Sequence, residues 1–307
     1  MNYFLRIGTR GSALALAQAR WTQQAIESHT SRPTAKLVTI TTSGDRFVDR
    51  SLSSIGGKGL FVKEIEEALR DRRIDCAVHS MKDLPGELAP GLTIAAVPAR
   101  ADARDVALTR GGAPLAALPA GARVGTSSLR RMALIHALHP TLDVVSLRGN
   151  VDTRLRKFDA GEFDAIILAA AGLQRLGLTR ADAQPLDPRL FVPAVGQGAL
   201  AIETRADDVP DEVAALDHAS TRIATDAERA FLRHIGGSCH TPLAAYATID
   251  GDQLHLAAMI ASPDGERVLR SERRGTTREA AALGVALADE LLARGGADIL
   301  RALQTNA

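Results

Sequence analysis

The sequence predicts an α/β protein of two similar lobes followed by a smaller α+β domain. Three observations carry that prediction. The first two-thirds of the chain alternates short apolar runs with segments of helical periodicity, the pattern of largely parallel sheets crossed by helices. The alternation runs through twice, and Ile7-Gly8-Thr9 before a Ser-capped helix is echoed by Val124-Gly125-Thr126. After about Leu216 the pattern changes to one long helix, two hairpin signals and two closing helices. A chain of 307 residues has room for two domains or three.

Each element has its own signal. Phe4–Ile7 reads as a strand, and Ser12 is placed to cap a helix from Ala13 to about Glu27, with Leu14, Ala17, Trp21 and Ala25 on one face. Leu37–Thr41 is β-rich, and the Ser- and Gly-rich stretch 42–59 reads as a long loop. Phe61, Val62, Ile65, Ala68 and Leu69 fall at helical spacing. Asp75–His79 is a strand ended by Pro85-Gly86. A second round begins near Asp105: strands at Arg123–Gly125, Asp143–Leu147 and Ala165–Ala169, helices over Leu129–Leu138, from Asn150 to Phe158, and around Leu173. Ala199–Glu203 reads as a strand returning to the first lobe. The expected units are residues 1–98 with 199–216, 104–192, and 217–307. In the last, a helix over Thr221–His234 precedes Gly236-Gly237-Ser238-Cys239. Hairpin turns follow at Asp250-Gly251 and Asp264-Gly265, then helices near Glu279–Leu292 and Ala297–Leu303.

Composition excludes several classes. Apolar residues are 46% and charged residues 24%, ordinary for a globular chain and inconsistent with low-complexity disorder. Thirty-seven basic against thirty-six acidic residues leave a net charge of +1, so general nucleic-acid binding is not expected. Ten aromatics make a base-stacking platform unpromising. Two distant cysteines, Cys76 and Cys239, make no disulfide framework. The N-terminus has no signal-peptide core, and the longest apolar run, Ala165–Leu173, is too short to span a bilayer. The expectation is a reduced, cytoplasmic protein without a membrane partner.

The informative chemistry follows the strands, where open α/β sheets bind ligands. Those positions hold Arg10 and Ser12; Ser80, Lys82 and Asp83; Thr126, Ser128, Arg130 and Arg131; and Arg148 and Arg154. A single such arginine is an ordinary surface residue. Several on successive strand ends imply a ligand with several carboxylates or phosphates, which guanidinium forks bind bidentately. Gly56-Gly57-Lys58-Gly59 suggests phosphate binding but lacks P-loop spacing, and a flexible loop explains it equally well. No zinc spacing joins His234, Cys239 and His240, so no metal is expected. Cys76 lies inside a strand and fits a buried hydrophobe. Cys239 sits on a Gly-Gly-Ser loop, where a reactive nucleophile and an inert thiol both remain open.

Five segments together resemble one family. They are Gly56–Phe61, Ala77–Pro85, Gly125–Arg131, Leu147–Val151 and Pro193–Gly198, in that order, with Cys239 in a late loop. All are similar to porphobilinogen deaminase, also called hydroxymethylbilane synthase, across essentially the whole chain. The resemblance implies two lobes like those of type 2 periplasmic binding proteins, plus a third domain holding a cofactor cysteine. It implies a monomeric transferase of tetrapyrrole (porphyrin and heme) biosynthesis. That enzyme joins four porphobilinogen molecules head to tail into hydroxymethylbilane and releases ammonia. The implied cofactor is a dipyrromethane bound to Cys239 by a thioether. Asp83 takes the place of the catalytic aspartate. Arg10, Ser12, Ser80, Lys82, Asp83, Thr126, Ser128, Arg130, Arg131 and Arg148 would hold the cofactor. Arg10, Arg148, Arg154, Arg175, Gln197 and Lys58 would hold substrate.

Two departures stand out. His240 and Thr241 occupy positions where the family often has Gln and Val, and Ser54 stands where some members carry Lys. The competing reading is a two-lobed binding protein for a small polyanion that performs no chemistry. A mass above the sequence mass by one dipyrrole separates the two.

Overall fold

The computed structural model describes residues 4–28, 35–43, 62–237 and 241–305. The first lobe contains β1 (Leu5–Thr9), α1 (Ala13–Glu27), β2 (Ala35–Thr39), α2 (Lys63–Arg70), β3 (Cys76–Ser80), a 3-10 turn at Met81–Asp83 and β4 (Leu92–Ala96). The second contains β5 (Asp105–Thr109), β6 (Arg123–Gly125), α3 (Leu129–Leu138), β7 (Asp143–Val145), α4 (Val151–Asp159), β8 (Ala165–Ala169), α5 (Ala170–Arg175) and β9 (Ala183–Pro185). Next come β10 (Leu200–Arg205) and α6 (Asp211–Ala214). The third domain is α7 (Ala219–Ile235), β11 (Leu243–Asp250), β12 (Gln253–Ala261), β13 (Val268–Thr276), α8 (Ala280–Leu291) and α9 (Ala297–Thr305).

The two lobes repeat one topology. Among the described residues each has a five-stranded sheet, in the orders β2-β1-β3-β10-β4 and β7-β6-β8-β5-β9. In each, the fourth strand runs antiparallel to both neighbours: β10 to β3 and β4, β5 to β8 and β9. That strand is the one entering from the opposite lobe. The chain therefore crosses between lobes twice, at residues 97–104 and 193–199.

Local chemistry starts the helices where they are needed. Ser12 Oγ accepts from Ala15 N at 3.3 Å and Ser128 Oγ from Arg131 N at 3.5 Å, each N-cap following a strand. Helix α1 buries Ala15, Gln18, Ala19, Thr22 and Ile26. Its apolar members pack on Ile7, Cys76, Val78 and Ile202. Sheet two buries Leu108, Ile166 and Leu168 with Phe158 on one face. On the other face, Leu134 and Ile135 of α3 join Met259 and Ala261 of β12, which fixes the third domain against the second lobe. The third domain is an antiparallel sheet, β11-β12-β13, whose core with α7 and α8 centres on Phe231, Leu256, Ile260, Leu287 and Leu291.

Strands β4 and β9 carry no clear strand pattern of their own in the sequence. Both are edge strands, placed by pairing to an antiparallel neighbour more than by their own pattern. The loop 42–59 lies almost wholly outside the described residues. No helix among the described residues is long and apolar enough to cross a membrane.

Candidate active site

The two crossings are stitched together. Ala101 N donates to Gly198 O at 3.1 Å. Arg100 Nε donates to Gln197 O at 2.8 Å, and Gln197 Nε2 to Ala103 O at 2.7 Å. Only glycine allows this approach. Gly196 and Gly198 have φ of +68° and +86°, and a Cβ would fall 2.6 Å from Met81 Cγ and 2.6 Å from Ala101 O respectively.

Beside the crossings lies a buried ion cluster centred on Asp105, the first residue of β5. Arg130 donates from Nη1 to Oδ2 at 2.7 Å, and Arg131 from Nη2 to Oδ1 at 2.8 Å. Gln197 Nε2 reaches Oδ1 at 2.9 Å. All four side chains are buried. Burial opposes the Asp105 charge, but the two guanidinium groups outweigh it and hold the carboxyl well below the usual carboxylate range. Arg130 and Arg131 also donate to the carbonyls of Val192 and Ile167, each at 2.8 Å, so strand ends and crossing are fixed by one cluster.

A cleft opens between the lobes, above the carboxyl ends of β3 and β8. Its lining includes Leu14 and Gln18 of α1, Ser80, Lys82, Arg131, Arg154, Arg175, and Gly196 and Gly198, around about 80 Å³ of space. Four cations and no acidic side chain are among the described lining residues. Burial pushes Lys82 down to about 8, reinforced by the Arg131 charge and opposed by Asp83. Burial likewise pushes Arg154 and Arg175 down to about 10. Backbone carbonyls hold these arginines in place: Arg154 Nε donates to Gly149 O and Arg175 Nη2 to Gly198 O, each at 2.7 Å. Lys82 Nζ reaches Gln197 Oε1 at 3.4 Å. These are charges that a polyanion would relieve. Asp83 is exposed beside them, on the 3-10 turn after β3 and within electrostatic reach of Lys82 and Arg154.

The structure thus brings Ser80, Lys82, Arg131, Arg154 and Arg175 together, with Asp83 alongside. Gln197 and Arg130 lie behind this lining, joined to Asp105. Ser12 and Ser128 serve as helix caps, and Thr126 Oγ1 accepts from Ser128 N at 3.2 Å. Arg10 directly follows β1, and Arg148 follows the β7 segment into α4; both are partly buried. Lys58 and Cys239 lie outside the described residues. The flanks of Cys239 are described: Gly236 ends α7 at φ +69°, and Thr241 leads into β11. Cys76 is fully buried, and burial pushes its thiol far up, so it is no accessible thiolate. Sequence reasoning missed Asp105 and Gln18. Gln18 is buried and donates from Nε2 to Ser80 Oγ at 2.8 Å.

Fold and cleft together define a class: a two-lobed α/β protein with a cation-lined cleft between its lobes. The family profile "Porphobilinogen deaminase, dipyromethane cofactor binding domain" matches residues 5–212, and "Porphobilinogen deaminase, C-terminal domain" matches residues 223–293. The porphobilinogen deaminase of Roseiflexus sp. (strain RS-1) is 53% identical over 302 residues, covering 98% of this chain and 99% of that one. That of Sorangium cellulosum (strain So ce56) is 53% identical over 293 residues, covering 94% and 98%. A solved ancestral cationic amino acid solute binding protein is similar at a TM-score of 0.41 and 11% identity, covering 69% of this chain and 87% of that one. The chain belongs to the porphobilinogen deaminase family.

Proposed function

We propose that this chain is a hydroxymethylbilane synthase, joining four porphobilinogen molecules head to tail on a dipyrromethane tethered to Cys239, with loss of ammonia at each addition. The observation that carries the reading is the cleft, whose described lining holds four cations and no acid, beside the exposed carboxylate of Asp83. Each porphobilinogen ring carries an acetate and a propionate, so the growing chain is a polyanion. Burial depresses Lys82, Arg154 and Arg175 and no acidic side chain is among the described lining residues, so the carboxylates of a dipyrromethane would offset the cost of these buried charges. When bound, the dipyrromethane supplies the pyrrole carbon to which the next ring is joined.

The chain's own residues supply the rest. Arg131, Arg154, Arg175 and Lys82 bind and orient carboxylates, with Gln18 and Ser80 as neutral donors. Loss of the aminomethyl nitrogen leaves a cation on the incoming ring. Asp83, exposed beside Lys82 and within electrostatic reach of Arg154, stabilises that cation, accepts pyrrole N–H groups and carries protons between leaving nitrogen and pyrrole carbon. Arg10 and Arg148 complete the grip on substrate and cofactor, and Gln197 holds the Lys82 ammonium from behind the lining.

Intact mass spectrometry tests the reading. The purified protein should exceed its sequence mass by one dipyrrole, with the adduct on the peptide containing Cys239. Substrate should then add rings in steps. Asp83→Asn should be nearly inactive at every addition, and Asp83→Glu should be slowed on the order of a hundredfold, since it keeps the charge but displaces it. An unmodified mass together with tight binding of a polyanion would instead favour the non-catalytic binding protein.

A further inference from the structure

The third domain reaches the segment just past Asp83 through Arg229. Arg229, on α7, is 4% exposed. Its Nη2 donates to the carbonyls of Pro85 at 3.1 Å and Gly86 at 2.9 Å. Those carbonyls lie two and three residues beyond Asp83. Its Nη1 is buried without a hydrogen-bond partner among the described residues, as is Glu203 Oε1. Burial pushes Arg229 down to about 10, with Arg233 acting in the same sense and Asp226 and Glu203 against it. A cation is thus kept out of water while its bonds go to the backbone just past Asp83.

Further along, the segment meets α7 again through Arg222, whose Nη2 donates to Ile94 O at 3.3 Å and Ala95 O at 2.9 Å. A groove of about 530 Å³ runs between residues 86–94 and the helix, so packing across the boundary is thin. At Gly86 the backbone comes close to the helix: a Cβ would lie 3.2 Å from Arg233 Cγ and 3.4 Å from Arg233 Cα. On its other side the segment is well tied: Met81 N donates to Ala199 O and Leu84 N to Met81 O, each at 3.1 Å. The preceding residue of α7 is equally committed, since Glu228 Oε2 accepts from Gly196 N at 2.7 Å and Oε1 from Arg100 Nη1 at 2.6 Å. The same helix ends at Gly236, three residues before Cys239.

We propose that Arg229 is a positioning residue: from the third domain it pins the Pro85 and Gly86 carbonyls and so sets where the Lys82–Asp83 turn stands relative to the helix that leads to Cys239. The inference rests on the reading of Asp83 as the catalytic carboxylate. Arg229 touches neither substrate nor cofactor. Its loss lets the turn drift while the cations of the cleft keep their places, so rate falls and substrate affinity does not.

The experiment compares holoenzyme variants Arg229→Gln, Arg229→Lys, Gly86→Ala and the exposed control Arg233→Gln. The readouts are kcat, KM, melting temperature and amide hydrogen exchange over residues 81–87. For Arg229→Gln the expected result is a tenfold to hundredfold loss of kcat, on the order of what misplacement by about 1 Å costs, with KM changed less than about twofold. Exchange at 81–87 should quicken. Arg229→Lys, which keeps a donor for one carbonyl, should fall between Gln and wild type. Gly86→Ala, which pushes the same segment off α7 at Arg233 Cα and Cγ, should also lower kcat, and Arg233→Gln, which keeps those atoms, should match wild type. Wild-type kcat in a folded Arg229→Gln protein overturns the inference. So does a loss of kcat with unchanged exchange at 81–87, or an Arg229→Lys protein no better than Gln. Asp83→Asn run alongside separates the two readings. If it turns over normally the catalytic assignment has failed, while exchange at 81–87 still reports whether Arg229 holds the turn.

Discussion

Asp105 shows how much of this site depends on a residue buried behind the cleft lining. Its carboxylate is shared by Arg130, Arg131 and Gln197 in the interior. Removing one partner from a buried ionic cluster leaves the others uncompensated, typically at about 3–5 kcal/mol. Asp105→Asn should therefore lose about that much stability in denaturant unfolding, and the purified protein should carry less than its full complement of dipyrrole. A loss below about 1 kcal/mol would mean that the two arginines find other partners. The sequence showed the arginines because they sit one turn past strand ends. It did not mark Asp105, whose partners lie 25, 26 and 92 residues away. The signal it did carry was a lone acid opening the apolar run Val106-Ala107-Leu108. A charge at the mouth of a buried strand needs a partner, but sequence does not say which.

Elements were legible to the degree that their own pattern decides them. Helix α3 and strand β8 have the bounds expected, because a capped amphipathic turn and an unbroken apolar run need no outside help. Strands β4 and β9 depend on a neighbour that arrives from the opposite lobe, so their signal is not local. The second crossing lies between these cases: its glycines are visible, but their purpose is visible only in space. Gly198 and Gly121 both have positive φ, +86° and +79°, but nothing lies within 4 Å of a Cβ at Gly121, whereas at Gly198 it meets Ala101 O at 2.6 Å. Gly121→Ala should cost about 1 kcal/mol of backbone strain. Gly198→Ala should cost that plus the collision, at least about 2 kcal/mol more, and should disturb the Ala101–Gly198 hydrogen bond that joins the crossings. Equal melting temperatures for the two variants would show that the crossing shifts without penalty.

At the scale of the whole molecule the net charge of +1 conceals an uneven distribution, with the inward-facing charge of the cleft positive and the balancing acids elsewhere. That arrangement makes stability depend on both pH and ligand. Lys82 titrates near 8 in the folded chain and near 10.5 when unfolded. Between those values the unfolded chain binds more protons, so this residue makes the empty protein more stable as pH rises through the window. Below about pH 8 the full burden of the buried ammonium is present. A bound carboxylate reverses the balance by stabilising the charged form. A Cys239→Ser protein prepared without the dipyrrole offers the test, with succinate as a simple dianion. Succinate should raise its melting temperature at pH 7. At pH 9 the gain should be smaller, because binding must then also bring a proton to Lys82, while Arg154 and Arg175, near 10, remain largely charged. Lys82→Met should show a smaller gain at pH 7 and no step between the two pH values. The same gain at pH 7 and pH 9 in the Cys239→Ser protein would place Lys82 outside the anion site and leave the arginines to hold it alone.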